Sequence, residues 1–308
     1  MDAVQQNLWF NTGLQDMALF QLVLQTLVSG ILAGGVYGLL GIGLAMVFGV
    51  IKIANFAQCS YMMIGMYVSF WCFNLLGINP YVSLLISVPV LFLLGYITQH
   101  YIINRVLDAI HLMQLLLTWG IVLILENGAN FLWGVRSRTV DVALAKSSLS
   151  LGLVNVPVLR LIAFAAAFGL AMLLYLFLKK TDTGKAIRAA ADDRTSAELM
   201  GIDVKRIYNI SFGISCGCAA AGGTLLLPFF HVNPYIGDVF LLTLFIVVVL
   251  GGVGSFFGAL FGGIIIGIAE SFGVTFIPGG TTGQIIPFII FILVVLLKPS
   301  GIFGAKSQ

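Results

Sequence analysis

Apolar runs of about 20 residues follow one another along almost the whole chain, and that length decides the architecture. A helix rising 1.5 Å per residue needs about 20 apolar residues to cross a bilayer, whereas barrel strands alternate and stop near 10. Of the 308 residues, 60% are hydrophobic and only 9% charged, and the mean hydropathy is +1.08. A soluble domain carries roughly 25% charged residues. The sequence therefore predicts an all-α, polytopic transmembrane bundle, with 1–308 forming one membrane domain. Eight main runs fall at about 19–50, 58–76, 81–104, 112–135, 158–179, 206–229, 238–256 and 258–298. The last must hold two crossings, because Pro278-Gly279-Gly280-Thr281-Thr282-Gly283 breaks it, giving eight to nine spans. The 238–256 run is short before Gly251-Gly252 and reads as a half-span or a full one. The first run, 32 residues, exceeds one straight crossing by roughly ten. Gly34, Gly35, Gly38, Gly41 and Gly43 offer places to break or tilt it.

One polar island interrupts the apolar pattern. Lys179–Arg206 holds seven of the fifteen Lys and Arg residues and five of the twelve acids. Excess Lys and Arg mark the cytoplasmic side of a membrane. Alternation then places Lys52, Arg105, Lys298 and Lys306 inside as well, eleven basic residues of the fifteen. Arg136, Arg138, Lys146 and Arg160 stay outside in one longer loop. The N-terminus, with Asp2 and Asp16 and no basic residue before Lys52, falls outside if 19–50 crosses once and inside if it crosses twice. It does not read as a cleaved signal peptide. Residues 184–201 read as a short amphipathic helix, with Ile187, Ala190, Ala191 and Leu199 on one face. Such a loop on a membrane protein builds a docking surface.

Internal similarity is short. Ile78-Asn79-Pro80-Tyr81-Val82 and Val232-Asn233-Pro234-Tyr235-Ile236 both precede apolar runs on the outer side, and with four spans between them the two halves would run parallel. Glycine is abundant, 36 residues. Gly254, Gly258 and Gly262 recur every fourth position and Gly263 pairs with Gly267. Small residues at this spacing let helices approach closely, either within the chain or at a subunit or pore surface.

Enzyme chemistry is not written here. There is no G-x-x-x-x-G-K-[ST], H-E-x-x-H or G-x-S-x-G, and His100, His111 and His231 are isolated. Catalytic, metal and cofactor sites are therefore read as none. Cys59, Cys72, Cys216 and Cys218 lie in or beside apolar runs and read as packed thiols rather than disulfides or ligands. Nothing suggests nucleic-acid binding. Ionisable groups inside spans are rare and costly, so each is a candidate. Glu126, with Asn127 and Asn130 nearby, reads as facing an interior or a path, and Glu270 as a structural hydrogen-bonding group or a path residue. Asp238 reads as lying at the outer edge. Lys52 and Asn55 sit where the first span meets the cytoplasm.

Several segments together resemble a known family. GVYGLLGIGLAMVFGVIKIANFAQ (35–58), TDTGKAIRAAADDRTSAELMGIDVKRIYNISFGISCGCAAAGG (181–223), NPYIG (233–237), VVLGGVGSFFGALFGGIIIGIAE (248–270) and KPSGIFG (298–304) resemble permease subunits of LIV-type branched-chain amino-acid ABC transporters, the shorter permease of the pair. The resemblance implies a bacterial inner-membrane importer with a second permease, two separate ATP-binding subunits and an extracytoplasmic solute-binding protein. It implies that Gly184, Ile187, Ala190, Ala191, Leu199 and Gly201 couple to an ATPase. Asn55, Gln58, Glu126, Asn127 and Glu270 are candidates for the path, and Gly254, Gly258, Gly262 and Gly267 for helix packing. One departure stands out: the family's usual Asn-Phe-Ala-His-Gly-Glu is here Asn55-Phe56-Ala57-Gln58-Cys59-Ser60. Related systems carry urea, amides or aromatic acids, so these remain alternatives to leucine, isoleucine and valine. Ion-coupled secondary transport and a non-transport scaffold are the competing classes.

Overall fold

The computed structural model describes residues 2–140, 147–151, 154–277, 285–298 and 301–303, with side chains described from residue 19 onward. Apolar sequence becomes helix almost throughout: α1 (Asp2–Val50), α2 (Gln58–Leu76), α3 (Leu84–Tyr101), α4 (His111–Trp133), α5 (Val158–Lys180), α6 (Asp182–Asp192), α7 (Arg194–Leu199), α8 (Val204–Leu226), α9 (Ile236–Gly251), α10 (Phe256–Phe276) and α11 (Ile285–Leu297). Seven of these are long and apolar enough to cross a membrane, and α9 and α11 are shorter apolar helices. The chain is a multi-pass helical membrane protein.

α1 and α8 form the spine. In each, 83% of the most apolar window is buried, against 28% for α4 and 22% for α5, which lie at the periphery. Glycine lets the spine pack. A Cβ on Gly34 would come 2.6 Å from the Ile264 Cα, and one on Gly30 2.6 Å from the Ile268 Cα, so α1 and α10 touch backbone to backbone. On α8, Gly223 meets the Met62 carbonyl and Gly213 the ring of Phe92, while Gly65 of α2 meets Ala220.

The structure refines these expectations. The glycines of the first run do not break it: α1 is one unbroken helix, because those glycines are spent on contacts. The short 238–256 run is a 16-residue helix, α9. The C-terminal segment returns to it, with the Ile302 and Phe303 amides donating to Leu250 O (2.7 Å) and Gly251 O (3.2 Å), carbonyls that a helix end leaves unpaired. The outer loop holds a small antiparallel hairpin, β1 (Ser148–Leu151) and β2 (Val154–Pro157), inside an otherwise all-α chain. It is fixed to α1 by Gln25, whose Nε2 donates to Asn155 O (2.6 Å) and whose Oε1 accepts from Asn155 N (2.9 Å). The single short helix expected over 184–201 is two helices, α6 and α7, because Asp193 leaves the helical backbone region (φ −147°, ψ 112°) and caps α7. The break expected at 278–283 lies outside the described residues.

The two Asn-Pro-Tyr segments fold alike locally. Asn79 Oδ1 accepts from Tyr81 N (3.1 Å), and Asn233 Oδ1 from Tyr235 N (2.9 Å).

Candidate functional site

Three places gather the polar residues. The first is where α2 begins. Residues 51–57 leave α1 through Lys52, the one described non-glycine residue with positive φ (61°). They turn back into the bundle, where Thr118 of α4 reaches Ala54 O (3.3 Å). Asn55 Oδ1 then accepts from Ala57 N (3.1 Å), its Nδ2 donates to Gln58 Oε1 (3.3 Å), and Gln58 Nε2 donates to Ser215 O (3.1 Å). Ser215 Oγ, 2.7 Å from Gly43 O and 2.9 Å from Gln58 Oε1, closes the set. Asn55, Gln58 and Ser215 are completely buried. Ser215 is the central residue of α8, eleven positions from either end, or about 16 Å along the axis. α2 therefore starts halfway through the bundle, not at its surface.

α9 starts beside it. A Cβ on Gly237 would lie 3.0 Å from the Cys59 carbonyl oxygen, so the first turns of α2 and α9 meet. This corrects the expected position of Asp238. It lies one residue after this contact, not at the outer edge, and its side chain is exposed on the surface of the chain. Tyr235 and Val239 beside it are also exposed, 41% and 52%. A charge displayed at that depth must meet another chain or water. Glu126 of α4 is buried, 6% exposed, with the Asp238 carboxylate within electrostatic reach. Its Oε1 has no partner among the described residues. The two asparagines expected to support it do not. Asn127 is exposed, donating to Leu123 O (2.8 Å) of its own helix, and Asn130 makes no bond to it.

The second place is a cavity of about 500 Å³ toward the end opposite the basic residues. It opens between the first half of α1, the start of α5, the end of α8 and the end of α10. Glu270, Arg160, Tyr37, Thr26, Ser29 and Thr275 supply its polar lining, and Leu32, Val36, Leu226, Phe229, Phe230 and Val274 its apolar walls. Tyr37 lines the cavity together with Glu270, and the Arg160 guanidinium stands 5.8 Å from the centre of the Phe229 ring. Sequence reasoning found Glu270 but missed Arg160 and Tyr37, which lie far away in the chain. The only signal for Arg160 was a lone cation beside the start of a span.

The third place is the basic loop. Thr181 caps α6 (Gly184 N to Thr181 Oγ1, 3.0 Å), and Asp193 caps α7 (Thr195 N to Oδ1, 2.9 Å) while accepting from the Ser196 hydroxyl (2.5 Å). The Ser196 hydroxyl and the two amides hold the Asp193 carboxyl below its ordinary range, so the cap stays charged into acid. Gly201, at φ +83°, ends α7: its amide donates to Glu198 O (3.0 Å) and that of Ile202 to Ala197 O (3.1 Å). Arg194 reaches Asp108, in the loop after α3, and Glu198, each at 3.1 Å.

The loop's apolar stripe faces inward. Gly184 lies against the Phe177 and Leu178 carbonyls, Ile187 and Ala190 are buried at 1% and 2%, and Ala191 is half-buried. Leu199 and Met200 instead stand 83% exposed beside exposed Lys185, Arg188 and Glu198. Of the glycines, Gly258 and Gly262 face α9, Gly267 faces α1, and Gly254 meets Gly49 (3.1 Å from an added Cβ to its Cα). Among the described residues, no group of three His, Cys, Asp or Glu could hold a metal ion.

The profile of the family described as branched-chain amino acid transport system, permease component, matches residues 26–295. The chain is 30% identical over 298 residues to the high-affinity branched-chain amino acid transport system permease protein BraD of Pseudomonas aeruginosa, covering 91% of this chain and 95% of that one. It is 31% identical to the corresponding permease protein LivH of Escherichia coli K12, covering 92% and 96%. It is 33% identical to the probable branched-chain amino acid transport permease protein LivH of Methanocaldococcus jannaschii, covering 86% and 88%. No solved structure matches. With the match running almost end to end, the chain belongs to the branched-chain amino acid transport system permease family.

Proposed function

We propose that this chain is one of two different permease subunits of an ATP-driven importer in a cytoplasmic membrane, and that its solutes are branched-chain amino acids. The observation that carries the reading is the near full-length likeness to relatives named as branched-chain amino acid permeases, from a bacterium to an archaeon. With no P-loop in the sequence, ATP hydrolysis falls to two separate subunits, and an extracytoplasmic binding protein delivers the solute. The whole chain acts as one permease domain.

The basic loop is the coupling element. Gly184, Ile187, Ala190 and Ala191 hold α6 to the bundle and Gly201 ends α7, so the ATPase meets the outward face: Lys185, Arg188, Glu198, Leu199 and Met200. The path runs along the face where α2 and α9 start at mid-depth. There Asp238 and Asn127 are displayed for the second permease to cover, and Glu126 stands behind them. Asn55 and Gln58 fix the start of α2. Gly254, Gly258, Gly262 and Gly267 serve packing within the chain.

Purification through a tag on this chain tests the assembly. The expected complex contains one copy of this chain, one related permease and two ATP-binding subunits. A complex with two copies and no second permease contradicts the heteromeric pore.

A further inference from the structure

The cavity at the outer end carries a feature that packing does not require. Arg160 and Glu270 bear opposite charges and line the same 500 Å³ space, yet they do not pair. The ion pairs among the described residues are Lys185–Asp182, Arg194–Asp108 and Arg194–Glu198. Arg160 has no hydrogen-bond acceptor among the described residues, only the face of Phe229. Both side chains are half-buried at the cavity wall, so each keeps an unpaired charge that a molecule in the void can complete. Between them the walls are apolar, built by Leu32, Val36, Leu226, Phe229 and Phe230.

We infer that this cavity is a binding site for a zwitterion with an apolar tail, and specifically for the amino acid as it enters the chain from the outer side. The anionic group accepts hydrogen bonds from the Arg160 guanidinium, and the ammonium donates to the Glu270 carboxylate. Tyr37 lines the same cavity. The aliphatic side chain lies along Val36, Leu226 and Phe230. The assignment rests on the amino-acid importer reading and adds to it a station inside this subunit, on residues from four helices. The same chemistry is offered by a zwitterionic lipid headgroup such as phosphatidylethanolamine, so the test includes both sources.

The complete transporter, reconstituted in liposomes with its binding protein, is compared with Arg160→Gln, Glu270→Gln and Ser29→Trp forms. The last fills the cavity and leaves both charges. Each variant is expected to lower leucine uptake by about tenfold or more, as when one partner of a buried charge contact is removed. ATP hydrolysis stimulated by the liganded binding protein is expected to continue. In detergent, leucine should raise the melting temperature of the wild-type complex. 4-Methylpentanoate, which lacks the ammonium, and isoamylamine, which lacks the carboxylate, should raise it less, and the leucine effect should vanish in both charge variants. Uptake and leucine stabilisation unchanged in all three variants overturn the site while leaving the importer reading intact. Stabilisation by phosphatidylethanolamine but not by leucine assigns the cavity to lipid and overturns the amino-acid assignment. Failure of the wild-type transporter to move any branched-chain amino acid overturns the importer reading itself. Should a charge variant not assemble, Ser29→Trp alone decides, by the same uptake readout.

Discussion

Single residues show how an apolar stripe can be read correctly and assigned to the wrong neighbour. The spacing of Ile187, Ala190, Ala191 and Leu199 reads as one face of a helix, and the first three do share a covered face while Leu199 stands exposed. What covers that face was not legible, because amphipathicity says only that something does. The cover is the chain itself, on α5 and α1. Of the apolar residues proposed to meet a partner, Leu199 already belongs to the sequence reading, whereas Met200 shows itself only by its exposure. Ile187→Asp is therefore expected to unseat α6 and lower the melting temperature of the purified chain. Met200→Glu together with Leu199→Glu should leave that temperature unchanged and reduce recovery of the ATP-binding subunits. Equal recovery with the double variant would remove the outward face from the coupling role. Glu126 gives a second test at this scale. It is buried with an unpartnered oxygen and draws nothing from Asn127 or Asn130. Glu126→Gln removes a costly charge, so the melting temperature of the variant should stay level or rise. A marked fall would reveal a bonded partner.

At the scale of elements, span positions were legible because length and hydropathy decide them. α4, α5 and α8 begin and end within about three residues of the apolar runs. Where α2 and α9 start in depth was not legible. Hydropathy locates an apolar run along the chain but not its height in the bundle, and Asn55, Gln58 and Ser215 meet only through the fold. The departure at Gln58-Cys59-Ser60 from the family's usual residues falls on this buried first turn of α2, with Gln58 bonded to α8 in place of the usual His. Gly-to-gly packing was half legible: the four-residue spacing was visible, its partner was not. Since α1 and α10 touch at Gly30, Gly34, Gly263 and Gly267, Gly34→Leu should overpack that seam and cost about 1–3 kcal/mol or more. Thermal unfolding in detergent measures it. The same change at Gly120 of α4, where an added Cβ meets nothing within 4 Å, should leave the unfolding temperature within error. A similar result at both positions would contradict the seam.

For the whole molecule, the exposure of α4 and α5, the charge displayed at Asp238 and the basic capped loop describe a subunit that is incomplete alone. α1 and α8 supply the buried spine, and on the proposed reading the faces around it are left for lipid, a second permease and an ATPase. The central claim is that the chain moves branched-chain amino acids inward only as part of an ATP-driven assembly. The most direct measurement is the accumulation of radiolabelled leucine in liposomes holding this chain, its partner permease and both ATP-binding subunits. Binding protein is supplied outside and ATP is trapped within. Concentrative uptake that requires ATP and binding protein, and stops when an ATP-binding subunit carries a P-loop substitution, is the predicted result. Uptake by this chain without ATP, driven by an imposed proton or sodium gradient, would contradict it.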